Sequence, residues 1–143
     1  MKRNDIKNIV NYYTKKFETR NPFEIAKAMG IVVQIGQLGS KCGAYMYLKR
    51  HRCIFLNEDL NEHEMELVMS HELAHAILHR TENCYFIRNK TLLLTSKIEC
   101  EANTFAMDLL ISDDALVEYQ EFNLDQISVA LGYDKKLISL KLR

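Results

Sequence analysis

A helix-rich α+β fold with one small sheet placed early is what this sequence predicts, on three observations. Apolar residues recur at three- and four-residue spacing along most of the chain, β-rich runs are confined to IVVQI, GAYMYL and CIFLN between positions 31 and 57, and NEHEMELVMSHELAHAILH runs from Asn61 to His79 without a breaker. The 143 residues, 48% of them hydrophobic, suffice for one core and are too few for two comfortable ones. Residues 1–143 are therefore expected to form a single domain, with 113–143 a helical C-terminal segment packed on it.

Each element has a local cause. Ile6, Ile9, Val10, Tyr13 and Phe17 line one face of a first helix, and Lys2, Arg3, Lys7, Lys15 and Lys16 form a basic opposite face read as solvated. Asn21 followed by Pro22 starts a short second helix that ends at Gly30. The three β-rich runs follow, separated by Gly36, Gly39 and the basic turn KRHR. Asn61 with Glu64 spells a capping box, and the acidic first turn suits the positive end of a helix dipole. A loop is expected near residues 81–90, then a helix over KIECEANTFAMDLL. Ser112, Asp113 and Asp114 open a short helix, and DQISVALGYDKKLISLKL reads as two helices around Gly132.

Composition excludes several classes. Nineteen basic residues balance nineteen acidic ones, so no global field draws the chain to nucleic acid or an anionic membrane. Cys42, Cys53, Cys84 and Cys100 form no CxxC pair, which argues for reduced, mostly buried thiols rather than a zinc ribbon or a disulfide framework. MKRNDIKNIVNYY has no apolar signal region, and no run approaches the roughly 18 apolar residues of a membrane span. A cytoplasmic protein is expected.

The chemistry sits in SHELAHAILH. His71 and His75 are one helical turn apart, so their imidazoles project from one face at a separation suited to one tetrahedral metal ion. Glu72 lies between them in sequence but is turned aside, where it reaches a metal-activated water: the HExxH arrangement, with the glutamate as general base. Chance alone gives this motif in roughly one or two of a hundred chains of such composition, so it needs support. The apolar helix around it supplies some, because histidines buried there would otherwise need partners. His79 lies eight residues past His71, about 12 Å along the helix at 1.5 Å per residue, too far to share the ion; it is expected to support the site from behind the ligands.

A third ligand must come from elsewhere, and the helix over IECEANTFAMDLL is the best supplier. At 100° per residue Glu99 flanks the apolar stripe of Ile98, Ala102, Phe105 and Ala106, whereas Glu101 projects from the opposite flank, where a solvated position is expected. Asn103, one turn after Glu99, can accept a hydrogen bond from the far nitrogen of a metal-bound imidazole. Ser96 with Glu99 also spells a capping box, the competing use of that glutamate.

HELAH at 71–75 followed by ECEANTFAMDLL at 99–110 resembles the paired motifs of the ImmA/IrrE-type zinc metallo-endopeptidases, an HExxH helix and an ExxANxFAxxLL helix. The similarity extends over roughly residues 21–111, and LLIS stands where LLMP is common in the family. The resemblance implies a minimal thermolysin-like, zincin-like fold, with Zn2+ held by His71, His75 and the first glutamate of the second motif, Glu99. It also implies cleavage of a helix-turn-helix transcriptional repressor, in a mobile element or a stress response.

Two other readings compete. A zinc-containing regulator could bind its partner without cleaving it, although closed structural zinc sites usually take four protein ligands, often cysteines. The tail could also be read as a DNA-binding helix-turn-helix. Lys135, Lys136, Lys141 and Arg143 stand against Glu121, Asp125 and Asp134, a net of about one positive charge, too little for phosphate-driven affinity. No direct nucleic-acid or membrane partner is expected, and the oligomeric state is not legible.

Overall fold

A computed structural model describes residues 1–87 and 96–142, with side chains omitted for 85–87. Among the described residues, seven helices and four strands follow in the order α1 (Arg3–Phe17), α2 (Pro22–Ala28), β1 (Val32–Gly36), β2 (Lys41–Leu48), β3 (His51–Asn57), α3 (Glu62–Leu78), β4 (Cys84–Ile87), α4 (Lys97–Leu110), α5 (Asp113–Val117), α6 (Leu124–Leu131) and α7 (Lys135–Lys141). The architecture is α+β, with the sheet set among helices from both sides of it in sequence.

Helix starts follow the capping residues. Asn21 accepts hydrogen bonds from the Phe23 and Glu24 amides ahead of Pro22, Asn61 and Glu64 form both arms of the capping box, and Ser112 caps α5 through the Ala115 amide. Gly132 ends α6 at φ 76°, where a side chain would be strained.

The strands lie in the order β1-β3-β2-β4, with β1 parallel to β3 and the other two pairs antiparallel. One sequence expectation changes here. In place of a loop throughout 81–90, Cys84–Ile87 is a strand. GAYMYL lies in the interior of the sheet, because β4 pairs with β2 and takes the edge itself. Four residues are too short a run for alternation to separate strand from loop.

Helix α3 packs on β2 and β3 on one side and on α4 on another. Residues 68–76 are buried without a break, so this is a central helix enclosed all round rather than an amphipathic surface helix. Its partners include Tyr45, Ile54 and Leu56 from the sheet and Ala102, Phe105 and Leu109 from α4. A second cluster forms on the other side of α4, where Met107 and Ile111 meet Ile127, Leu137, Ile138 and Leu140 of the last two helices. α4 thus serves both cores.

Close approach of α3 to the sheet depends on Gly43. A Cβ there would lie 2.7 Å from Val68 Cγ1, 3.0 Å from the Phe55 carbonyl oxygen and 3.4 Å from Glu72 Cγ. Gly43→Ala is expected to lower unfolding free energy by about 1–3 kcal/mol through overpacking. Urea denaturation measures it, and an unchanged midpoint would show that α3 and β2 can separate without cost.

The basic face of α1 is not simply solvated. Arg3 pairs with the buried Asp108 of α4 through its two terminal guanidinium nitrogens, at 2.5 and 2.6 Å, and Lys7 reaches Asp113 at 2.7 Å. Periodicity marks a polar face without saying whether solvent or protein covers it. No described helix is long and apolar enough to cross a membrane.

Candidate metal centre

Three side chains from two helices meet at one point. His71 Nε2 lies 2.9 Å from Glu99 Oε2, His75 Nε2 lies 3.0 Å from Glu99 Oε1, and the two Nε2 atoms are 3.2 Å apart. Helical spacing puts the histidines side by side on α3; packing of α4 against that face brings Glu99 to them. Ser96, at the N-cap of α4, receives no capping bond, and Glu99 is turned to the imidazoles instead of back to the helix start.

The donor set fits a metal ion. Tetrahedral zinc with N and O ligands at about 2.0–2.1 Å spaces its ligand atoms about 3.3 Å apart, close to the separations seen here. His71 Nδ1 faces Asn103 Oδ1 at 2.7 Å and donates to it, which aims Nε2 at the Glu99 carboxylate. Burial pushes the Glu99 carboxyl up, but its hydrogen bonds with His71 and His75 outweigh this and hold it well below the usual carboxylate range. Burial lowers His75, an effect the Glu99 bond partly offsets. An ionised acid and a neutral imidazole are the forms a metal requires.

Glu72 is fully buried beside this group, one of its oxygens lying within 4.8 Å of donor atoms of both histidines. Neither carboxylate oxygen has a hydrogen-bond partner among the described residues. Burial, and secondarily the Glu99 charge, raises its pKa well above the ordinary value. An unpartnered buried carboxylate is costly to the fold and is therefore a mark of function.

Behind the histidines lies a relay. His75 Nδ1 is 3.0 Å from His79 Nδ1, and His79 Nε2 is 2.9 Å from Glu101 Oε1. The ring of His79 sits against the far nitrogen of His75, and its distance along the helix from His71 keeps it out of the central group. Glu101 differs from its expected solvated position: its side chain is only 11% exposed, and it also holds the α-amino group of Met1 at 3.1 Å. The wheel places Glu101 on the opposite flank from Glu99 correctly; what it lacks is the end of α3, where His79 fills that flank. A histidine one turn after the motif, needing a partner for its second nitrogen, is the signal that could have found it.

Cys84, unmarked by any spacing in the sequence, arrives with β4. It is buried, and its Sγ, a His75 nitrogen and a Glu99 oxygen lie within 4.8 Å of one another. Burial pushes its thiol up to about 12, with Glu99, Glu72 and Glu82 adding to the effect. Two other polar side chains of the fold are committed to partners of their own. The Tyr45 hydroxyl donates to the Arg80 carbonyl at 2.5 Å, and His63 contacts the Gly132 carbonyl at 2.9 Å while stacking on Tyr133. Tyr47 lies under the Arg80 guanidinium, and the side chain of Tyr85 lies outside the described residues.

An HExxH pair on a buried helix, faced by a glutamate from the following helix in a small α+β fold, is the arrangement of a zincin-like metallopeptidase. Residues 26–131 match the family model described as IrrE N-terminal-like domain (Peptidase_M78), and the chain belongs to this ImmA/IrrE-type metallopeptidase family. It is 42% identical over 139 residues to "Uncharacterized immunity region protein 2" of Bacillus phage phi105, covering 95% of this chain and 88% of the phage protein. It is 30% identical over 143 residues to "Metallopeptidase ImmA" of Bacillus subtilis (strain 168), covering 96% of this chain and 83% of that protein.

Proposed function

We propose that this protein is a cytoplasmic, zinc-dependent endopeptidase that hydrolyses a peptide bond in a helix-turn-helix transcriptional repressor and so relieves repression. The observation that carries the reading is the convergence of His71, His75 and Glu99 to within 2.9–3.2 Å beside the carboxylate of Glu72, which has no hydrogen-bond partner among the described residues. Similarity to an immunity-region protein of a phage, the genetic setting of a repressor, favours that substrate class.

In this reading His71, His75 and Glu99 hold the zinc ion. The chemistry it supplies is Lewis acidity, lowering the pKa of a water from about 15.7 toward about 7 and polarising the scissile carbonyl. Glu72 accepts the proton of the attacking water and returns it to the leaving amine. The burial that raises its pKa favours the return step, since a carboxylate of ordinary acidity would be a poor proton donor to the amine. Asn103 fixes the ring of His71 through Nδ1, and His79, itself held by Glu101, does the same for His75.

The experiment combines the purified, zinc-loaded protein with a helix-turn-helix repressor, taking first any that is encoded beside its gene. Cleavage at a single site is expected, stopped by a chelator and restored by added zinc. A repressor left intact after long incubation with fully loaded protein would favour the zinc-containing regulator that binds without cleaving.

A further inference from the structure

We propose that Cys84 is a fourth protein ligand, whose sulfur closes the zinc site while no substrate is bound and which substrate displaces. This rests on the metal-site reading above and adds to it how the fourth position is filled between substrates.

Two overlapping groups of potential ligands share His75: one adds His71 and Glu72, the other Cys84 and Glu99. The second group is built across the fold. Cys84 opens β4, where pairing with Tyr45 of β2 sets its position; His75 comes from α3 and Glu99 from α4. Cys100 adjoins Glu99 in sequence. Even so, among the described residues only Cys84 joins a group of this kind. Proximity in space, not in sequence, singles it out. Independently of the thiol, the neighbouring Glu72 side chain is wholly buried and makes no hydrogen bond among the described residues, so this pocket is already short of a partner for its polar atoms.

Chemistry makes the sulfur matter. Zinc sites with three protein ligands keep a position for water and substrate, whereas four protein ligands, commonly including cysteine, close it. Coordination by Cys84 releases the thiol proton to solvent, and withdrawal takes a proton back as the fourth position is vacated. Among the described residues β4 is four residues long and pairs with β2 alone, so the thiol is carried at the edge of the sheet. Nothing comparable holds for the other ligands, which project from the packed faces of α3 and α4.

Zinc X-ray absorption on the full-length wild-type protein, Cys84→Ser, Cys84→Ala and Cys100→Ser, with zinc content measured on the same samples, tests the proposal. Wild type and Cys100→Ser are expected to show a sulfur shell at about 2.3 Å beside nitrogen and oxygen at about 2.0–2.1 Å. Both Cys84 variants should keep their zinc and lose the sulfur shell. Zinc-loaded wild type without sulfur, or a sulfur shell persisting in the Cys84 variants, would overturn the role of Cys84 and leave the metal site standing. Wild type that binds no zinc would overturn both.

Discussion

Glu72→Gln is expected to slow repressor cleavage by about 10²–10⁴-fold, the usual contribution of a positioned general base, with zinc content unchanged. Glutamine keeps the shape of the side chain and the carbonyl but cannot take the proton. The same change should not destabilise the fold and is expected to raise its melting temperature. Glu72 is buried with both oxygens unpartnered among the described residues, so replacing it with a neutral amide removes a desolvation cost without breaking a contact. A gain in stability alongside a loss of activity is what a side chain retained for chemistry should give. Cleavage at the wild-type rate would remove Glu72 from the mechanism.

Asp108→Ala should be the most damaging single change outside the metal centre. The Asp108 side chain is 1% exposed and pairs with Arg3 at 2.5 Å and with Lys141 at 3.3 Å. Lys141 is itself buried and continues to Asp113 at 2.8 Å. The cluster ties α1, α4, α5 and α7 together on the side of α4 away from the metal centre. Removing its central acid takes this carboxylate from Arg3 and leaves the buried Lys141 with Asp113 alone, for an expected loss of about 3–5 kcal/mol in unfolding free energy. Equilibrium urea denaturation reads this directly. A loss below about 1 kcal/mol would mean that Arg3 and Lys141 swing to solvent without penalty.

Much of the helical framework is legible in the sequence because its causes are local. Asn61 and Glu64 are three residues apart and cap each other, and the His71–His75 spacing makes their rings neighbours through helical geometry alone. Glu99 could be chosen over Glu101 because a helical wheel separates them. What could not be read depends on contacts between distant segments. The strand Cys84–Ile87 is recognisable only by its pairing with β2, and with it go the place of Cys84 beside His75 and the interior position of GAYMYL. The partnership of Glu101 with His79 needs the register of α4 against α3, and that of Arg3 with Asp108 needs α1 packed across α4. Gly43 reads as an ordinary strand residue until the helix above it is in place.

Zinc stoichiometry in the wild type, Glu99→Ala and Glu101→Ala, measured by equilibrium dialysis, bears most directly on the idea that α3 and α4 grip one ion between them. About one zinc per chain is expected in the wild type and in Glu101→Ala, with tight binding lost in Glu99→Ala, whose carboxylate closes the set of three. Loss confined to Glu101→Ala, or binding indifferent to both changes, would contradict it.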